Sequence, residues 1–402
     1  MLNTNFSPWP SFTHEEAEAI KNVLLSNKVN YWTGNECKLF EKEFAEWCGT
    51  RHAIALANGT VALDLALKAL KIGPNDEVIV TPRTFIASAS CIVNAGARPV
   101  FADVDPNTQN ITAQSIQKVL TPRTKAIICV HLAGYPCDMD PIMDLANNRG
   151  IYVIEDCAQA HGARYKDRPV GSIGHVAAWS FCQDKIMTTG GEGGMLTTDE
   201  TELWKTAWAF KDHGKSWDAV HNRQHPPGFR WLHDDFGTNW RMTEIQATIG
   251  RIQLQRMPEW TKKRNDNATK LISVLTPFCG TKGLVRLPAT PEAETVHAYY
   301  KFYFFVRPEN FCTGWDRDRL VSEIAAAGVP CYQGSCSEIY LEKAFEKNKI
   351  QPTHRLPNAK MLGETSLMLL VHPTLSEEEI NLSCEILKER IQVASVTPNS
   401  KK

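Results

Sequence analysis

No run of apolar residues in this 402-residue chain approaches the roughly 18 positions that a membrane-spanning helix requires. The first dozen residues also lack a basic stretch followed by an apolar one, so no secretory leader is expected. Both absences point to a soluble, cytoplasmic protein with no membrane partner. Charge of one sign is missing as well: 44 Lys and Arg stand against 45 Asp and Glu. Without a basic excess there is no electrostatic footprint for nucleic acid or an anionic lipid surface. Cysteine occurs twelve times, yet with no C-x-x-C pair and no matching histidine spacing. Several of the twelve lie inside apolar runs, where cysteine acts as a small hydrophobe, so reduced thiols are expected rather than disulfides or a metal centre.

What is present is enough chain for more than one core, since single cores stop growing near 250–300 residues. The sequence divides into a large domain over 1–255, with an irregular N-terminal arm over 3–12, and a smaller one over 256–402. Thr13 and Glu16 have the spacing of a capping box, and Ala17, Ile20, Val23 and Leu24 follow at helical intervals. A second amphipathic helix carries Leu39, Phe40, Phe44 and Trp47. From residue 53 the pattern alternates. Strands are expected at 53–57, 77–81, 99–104, 126–130 and 151–154, and helices at 85–94, 113–120 and 141–148, with another through Leu63, Leu67 and Leu70. Near-continuous apolar strands in such alternation mean a mostly parallel sheet with helices on both faces. The fold class is therefore α/β.

In sheets of this kind, ligands bind beyond the carboxyl ends of the strands. Three such ends carry polar residues: Asn58-Gly59-Thr60, Thr81 to Phe85, and Glu155-Asp156. A strand, a Gly-Thr turn and a helix N-terminus make a cradle for a phosphate, although Asn-Gly is also an ordinary turn. Twenty-nine residues after Asp156 comes Lys185, and a glycine cluster follows at Gly190, Gly191, Gly193 and Gly194. This set suits pyridoxal phosphate, which needs an amine to hold its aldehyde, an acid opposite its ring nitrogen and donors for its phosphate. Lysine is the amine that desolvation readily deprotonates. Aspartate is the acid, with a plain helix cap as its competing role.

Taken together, Asn58-Gly59-Thr60, Thr84-Phe85, Glu155-Asp156-Cys157-Ala158-Gln159, Ser180-Phe181 with Lys185, Gly191-Glu192-Gly193-Gly194, and Asn239 to Ala247 resemble the DegT/DnrJ/EryC1/StrS family. These are nucleotide-sugar aminotransferases of the aspartate aminotransferase fold type I. The resemblance covers nearly the whole chain, with the motifs in order. It implies a large domain on a seven-stranded type of sheet and a smaller C-terminal α/β domain. It assigns Lys185 as the covalent anchor of pyridoxal phosphate, Asp156 as partner of the ring nitrogen and Gln159 as a contact on the ring's hydroxyl side. Phe85 would stack on the ring, and Gly59, Thr60 and Ser180 would bind the phosphate. Phe85 could otherwise be ordinary core, and Ser180 a strand-end hydroxyl without a ligand. Asn239 would reach the phosphate of the neighbouring subunit, which implies a homodimer with shared active sites. His161 is left without a role, as a packing or hydrogen-bonding residue.

The implied activity is ping-pong transfer of an amino group from L-glutamate to a keto nucleotide sugar, in bacterial surface-glycan synthesis of the bacillosamine or lipopolysaccharide type. C4 of a UDP-4-keto-6-deoxy-N-acetylhexosamine is the expected acceptor, with C3 of a UDP-3-keto sugar as alternative. A non-catalytic binding or regulatory protein that kept the fold is the rival from another class, and the Asp156, Gln159 and Lys185 set argues against it. Lys185 likewise argues against a relative with histidine at that position. Residues 204–240, rich in Trp, His and Pro, read as a long loop at the subunit boundary. The C-terminal part reads as strands at 285–287 and 297–306 and helices at 316–327 and 377–393, with a frayed tail at 397–402. Gly334-Ser335-Cys336-Ser337-Glu338 stands where the family more commonly has a His-Tyr pattern.

Overall fold

The computed structural model describes residues 5–225 and 231–395. The expected tail at 397–402 lies outside them, as does part of the 204–240 stretch.

Among the described residues, thirteen strands follow in chain order: β1 (His52–Leu56), β2 (Glu77–Val80), β3 (Arg98–Phe101), β4 (Thr124–Val130), β5 (Tyr152–Asp156), β6 (Arg164–Tyr165), β7 (Arg168–Pro169), β8 (Val176–Ser180), β9 (Gly194–Thr198), β10 (Val285–Arg286), β11 (Phe302–Val306), β12 (Cys331–Tyr332) and β13 (Ser366–Leu369). Seven of them form one sheet in the order β1-β9-β8-β5-β4-β2-β3. The pairings β3-β2-β4-β5-β8 are all parallel, whereas β9 runs antiparallel to both β8 and β1. Apolar residues fill both faces. In β1, Ile54 and Leu56 join one core layer while Ala53 and Ala55 join the other, the period-two alternation of a strand buried on both sides.

The strand–helix rhythm of the sequence does not reveal β9, because it follows β8 through a glycine-rich loop with no helix between. Residues 204–240 also depart from the loop expected there. Thr201–Lys211 and Trp217–His221 are helices. Their tryptophans are packing residues: Trp208 is buried, and its ring meets Trp217 edge-on at 4.8 Å. Bulk apolar contact thus overrides a composition that reads as irregular. The helix Ala87–Asn94 starts at Ala87 rather than at residue 85, so Phe85 stands free of it.

The second, smaller sheet is wholly antiparallel, in the order β10-β11-β13-β12. Leu320 and Ile324 of the helix Arg317–Ala326, and Leu387 and Ile391 of Glu377–Ser395, share one core with Phe302 and Phe304 of β11. Between the sheets runs Glu244–Leu275, a helix of 32 residues whose Thr243 and Gln246 form a capping box. It passes through residue 255, and its last turns enter the core of the smaller sheet through Ala268, Leu271 and Leu275.

Candidate active site

The carboxyl ends of β2, β5 and β8 open onto a cleft of about 1270 Å³, walled on the far side by Tyr300 and Lys301, just before β11, and by Tyr303 and Met368 of the smaller sheet. The N-terminal arm, from Phe6 to Phe12, closes a third side.

Lys185 stands in the loop after β8 and lines this cleft, its side chain 16% exposed. Its ammonium lies 3.6 Å from Asp184 and 5.1 Å from the Tyr300 ring centroid. Asp184 also accepts the Tyr300 phenol proton. Burial alone would raise the Asp184 carboxyl, but Lys185, Tyr300 and Lys301 more than offset it and hold it below the usual range. Backbone support comes from the arm, where the Trp9 indole N–H donates to the Lys185 carbonyl at 2.7 Å.

Asp156 ends β5 and is 5% exposed. Its Oδ2 accepts from Ser88 Oγ at 2.7 Å and its Oδ1 from the Ala158 amide at 3.2 Å. Since the Ser88 proton goes to Asp156, the 2.9 Å contact between Ser88 and Thr84 is a donation from Thr84. The burial that raises the Asp156 carboxyl is countered by Ser88, Ala158 and then Lys185, with a net upward result. A buried acid aligned in this way lacks a cation, and a protonated ring nitrogen would supply one. Gln159 is nearly buried in the cleft wall. Its Oε1 accepts from the Ala133 amide at 2.7 Å, which leaves its N–H donors free.

Beside this pair, Asn58 caps the helix Gly59–Ala69 by accepting from the Val61 amide. As first residues of that helix, Gly59 and Thr60 have amides with no intrahelical acceptor. A Cβ on Gly59 would sit 2.6 Å from Ser180 Cβ, and one on Gly194 would sit 2.3 Å from the Asn58 carbonyl oxygen. Only glycine permits the helix end, β8 and β9 to meet this closely. Two free amides and the Ser180 hydroxyl therefore converge at the end of β8, the donor set a phosphate needs.

The remaining two residues sit apart. Phe85 lines the cleft but is 68% exposed, at its mouth. Asn239 does not line the cleft of its own chain. It is exposed and pairs through its backbone with Asp212. His161 is buried against Trp179 and Phe181 with neither ring nitrogen bonded among the described residues, and burial pushes it down to about 3.

These residues fit pyridoxal phosphate, and similarity to known proteins agrees. Residues 10–388 match the family model described as the DegT/DnrJ/EryC1/StrS aminotransferase family. The chain belongs to that family. It is a pyridoxal-phosphate-dependent aminotransferase. Among its relatives, GDP-perosamine synthase of Escherichia coli O157:H7 is 36% identical over 94% of this chain and 96% of its own. The UDP-N-acetyl-3-dehydro-alpha-D-glucosamine 3-aminotransferase of Acidithiobacillus ferrooxidans is also 36% identical, over 97% and 96%. The X-ray structure of the aminotransferase from Psychrobacter cryohalolentis superposes with a TM-score of 0.96 at 60% identity, covering 97% of this chain and all of that one. The expected aspartate aminotransferase fold type I is thereby met.

Five residues of this aminotransferase site have no role in the sequence reading: Trp9, Ser88, Asp184, Tyr300 and Lys301. Some left a signal. A lysine inside the aromatic run from Tyr299 to Phe305 has no place in a buried strand without a purpose, and Ser88 follows Thr84 at the spacing of one helical turn.

Proposed function

We propose that this family member carries an amino group from L-glutamate to a nucleotide-linked keto sugar, at C4 of a UDP-4-keto-6-deoxy-N-acetylhexosamine. The observation that carries the transferase reading is the placement of Lys185 at the floor of a cleft wide enough for a sugar nucleotide, beside the buried carboxylate of Asp156. Bound pyridoxal phosphate supplies a protonated ring that takes up the electron pair released when a substrate carbon loses its proton.

The protein's own residues do the rest. Asp156, aligned by Ser88 and Ala158, keeps its charge against the ring nitrogen. Gly59, Thr60 and Ser180 hold the phosphate, Gln159 offers its free N–H to the ring's hydroxyl side, and Phe85 covers the face toward the cleft mouth. The Lys185 amine, once displaced by the donor nitrogen, takes a proton from the donor's α-carbon, and in the second half-reaction returns one at the sugar carbon. Asn239 completes the phosphate site of a second copy in a homodimer, a reading supported by its exposure and its position outside its own cleft.

Amination at C3 is the second reading, supported by the printed activity of the Acidithiobacillus relative. The absorbance of the purified protein before and after L-glutamate tests the donor. Mass analysis of the products from UDP-, GDP- and dTDP-linked 3-keto and 4-keto sugars tests the acceptor. A protein whose cofactor absorbance ignores L-glutamate, or which aminates none of these sugars, would refute the corresponding half of the reading.

A further inference from the structure

Lys301 is a second lysine in the cleft, one that neither cofactor binding nor proton transfer uses. It is 9% exposed and lines the cleft with Lys185, Asp184 and Gln159. Its ammonium rests 4.9 Å from the Tyr300 ring centroid and, among the described residues, pairs with no carboxylate. The neighbouring acid, Asp184, already serves Tyr300 and Lys185. Close behind stands Arg264, from the long central helix. Its Nη1 donates to the carbonyls of Tyr299 and Tyr300 at 3.2 and 3.3 Å, while its Nε and Nη2 find no hydrogen-bond partner among the described residues. His372 also lines the cleft, stacked on Trp9.

The charge count of this cluster does not close. Lys185 and Lys301 face the single carboxylate of Asp184 while Arg264 adds a third cation close to Lys301, and once Lys185 is tied up by the cofactor two cations still share one anion. Buried cations without partners are costly, so the arrangement calls for an anion that arrives with the substrate. Burial and the nearby Arg264 and Lys185 push the Lys301 ammonium down to about 8, with Asp184 acting in the opposite direction. That is the cost an incoming anion relieves.

Two substrate anions could meet it: the carboxylate of an amino-acid donor or the diphosphate of a sugar nucleotide. Position separates them. Lys301 shares its surroundings with Lys185, where the transferred nitrogen must sit, and a donor's α-carboxylate is one carbon from that nitrogen. A diphosphate lies a whole sugar ring away from the carbon being aminated. We propose that Lys301 seats the α-carboxylate of the amino-acid donor, with Arg264 fixing the segment before β11 from which it projects. This rests on the reading that the donor is an amino acid.

The test uses the holoenzyme and its variant Lys301→Met, which keeps the length of the side chain and loses its charge. Each half-reaction is followed separately through cofactor absorbance: L-glutamate as donor, 4-aminobutanoate as the same amine without the α-carboxylate, and the amino-sugar product run in reverse. The expected result is a loss on the order of 30-fold in efficiency with L-glutamate, the loss of one charged hydrogen bond. Little change is expected with 4-aminobutanoate, and the balance shifts toward the sugar half-reaction. Lys301→Arg should recover part of the loss, and unchanged thermal melting shows that the variant is folded. Equal losses with L-glutamate and 4-aminobutanoate, a loss confined to the sugar half-reaction, or no loss would each overturn the proposal. Failure of the underlying reading shows differently: wild-type cofactor absorbance would then respond to no amino acid.

Discussion

Trp9 and Lys185 are 176 residues apart, yet the indole N–H of one donates to the backbone carbonyl of the other at 2.7 Å. Trp9 is wedged edge-on to Trp260 at 5.0 Å and stacked on His372 at 5.9 Å, with the Arg264 guanidinium 5.1 Å from its ring. The arm is thus a structural wall of the cleft that steadies the loop carrying Lys185. Trp9→Phe keeps the ring and deletes the donor. A loss of about 1 kcal/mol in positioning, roughly fivefold in turnover, is expected, while Trp9→Ala should cost more through lost packing. Single-turnover kinetics with L-glutamate would decide, and equal, wild-type rates for both variants would remove the arm from the mechanism.

The uneven legibility of the chain has a physical basis. Asp156 and Gly59 stand at or just past strand ends that follow from apolar runs, and Lys185 comes in the loop after β8, so the place of these proposed site residues in the fold is readable. Trp9 is not readable in this way. It acts through a contact made by folding distant segments together, and neither spacing nor period records such a contact. The helices within 201–221 were hidden for a related reason, since tryptophan-rich composition says nothing of which surface the rings will find. Strand β9 was hidden because it breaks the alternation that exposes its neighbours.

Asp156 offers a prediction in which stability and activity diverge. Burial raises its carboxyl, so the protein without cofactor gains nothing from a charge there. Asp156→Asn should therefore leave thermal stability of the cofactor-free protein unchanged or improved, yet lower transamination on the order of 10²-fold or more through the lost charge at the ring nitrogen. Ser88→Ala, which only loosens the carboxylate, should cost closer to fivefold. Melting curves and half-reaction rates on the same preparations would test both. Comparable activity losses in the two variants would mean that alignment, not charge, is what matters.

At the phosphate cradle the prediction is steric. A methyl on Gly59 meets Ser180 Cβ at 2.6 Å and its Cα at 3.0 Å, so the helix end must move away from β8. Overpacking of this kind costs about 1–3 kcal/mol. Gly59→Ala should weaken pyridoxal phosphate by roughly tenfold or more on the same scale, and more than Ser180→Ala, which removes one hydroxyl donor without moving backbone. Titration of cofactor-free protein, followed by absorbance, gives both constants. A Gly59→Ala protein with unaltered affinity would show that the phosphate sits elsewhere.

Lys301 should impose a pH limit on carboxylate binding. Its ammonium, pushed down to about 8, is faced by Tyr300 and Asp184, by Lys185, by Arg264 from the central helix and by His372, which burial holds near 3. Only the charged form attracts a carboxylate, so affinity is full below the Lys301 value and lost as pH rises through it. Glutarate, a dicarboxylate without a titrating amine, isolates the effect. Its inhibition constant should rise about tenfold per pH unit above the transition. In Lys301→Arg the rise should move to higher pH, and in Lys301→Met it should vanish. A wild-type constant that stays flat to pH 10 would show that Lys301 does not hold the carboxylate.

Glu155 precedes Asp156 and faces the opposite way. It accepts from His131 at 2.9 Å and from the amides of Gly171, Ile173 and Gly174 at 2.8, 2.8 and 2.6 Å. His131 Nδ1 accepts from the Cys137 amide, so Nε2 carries the proton that Glu155 receives. One carboxylate thereby ties β5 to the loop before β8, and so sets the distance between Asp156 and the segment leading to Lys185. Burial alone would raise the Glu155 carboxyl, but His131 and the glycine amides more than offset it and hold it below its ordinary 4.5. A carboxyl depressed on folding adds stability that is complete above its unfolded value and lost as pH falls through the folded one. Wild-type stability should therefore drop with acid below about pH 4.5 more steeply than that of Glu155→Gln. At neutral pH the variant should be weaker by roughly 3 kcal/mol, because an amide cannot accept from all these donors. Denaturant unfolding between pH 3 and 7 would measure both effects. Parallel pH profiles for the two proteins would show that the acid sensitivity arises at another carboxyl.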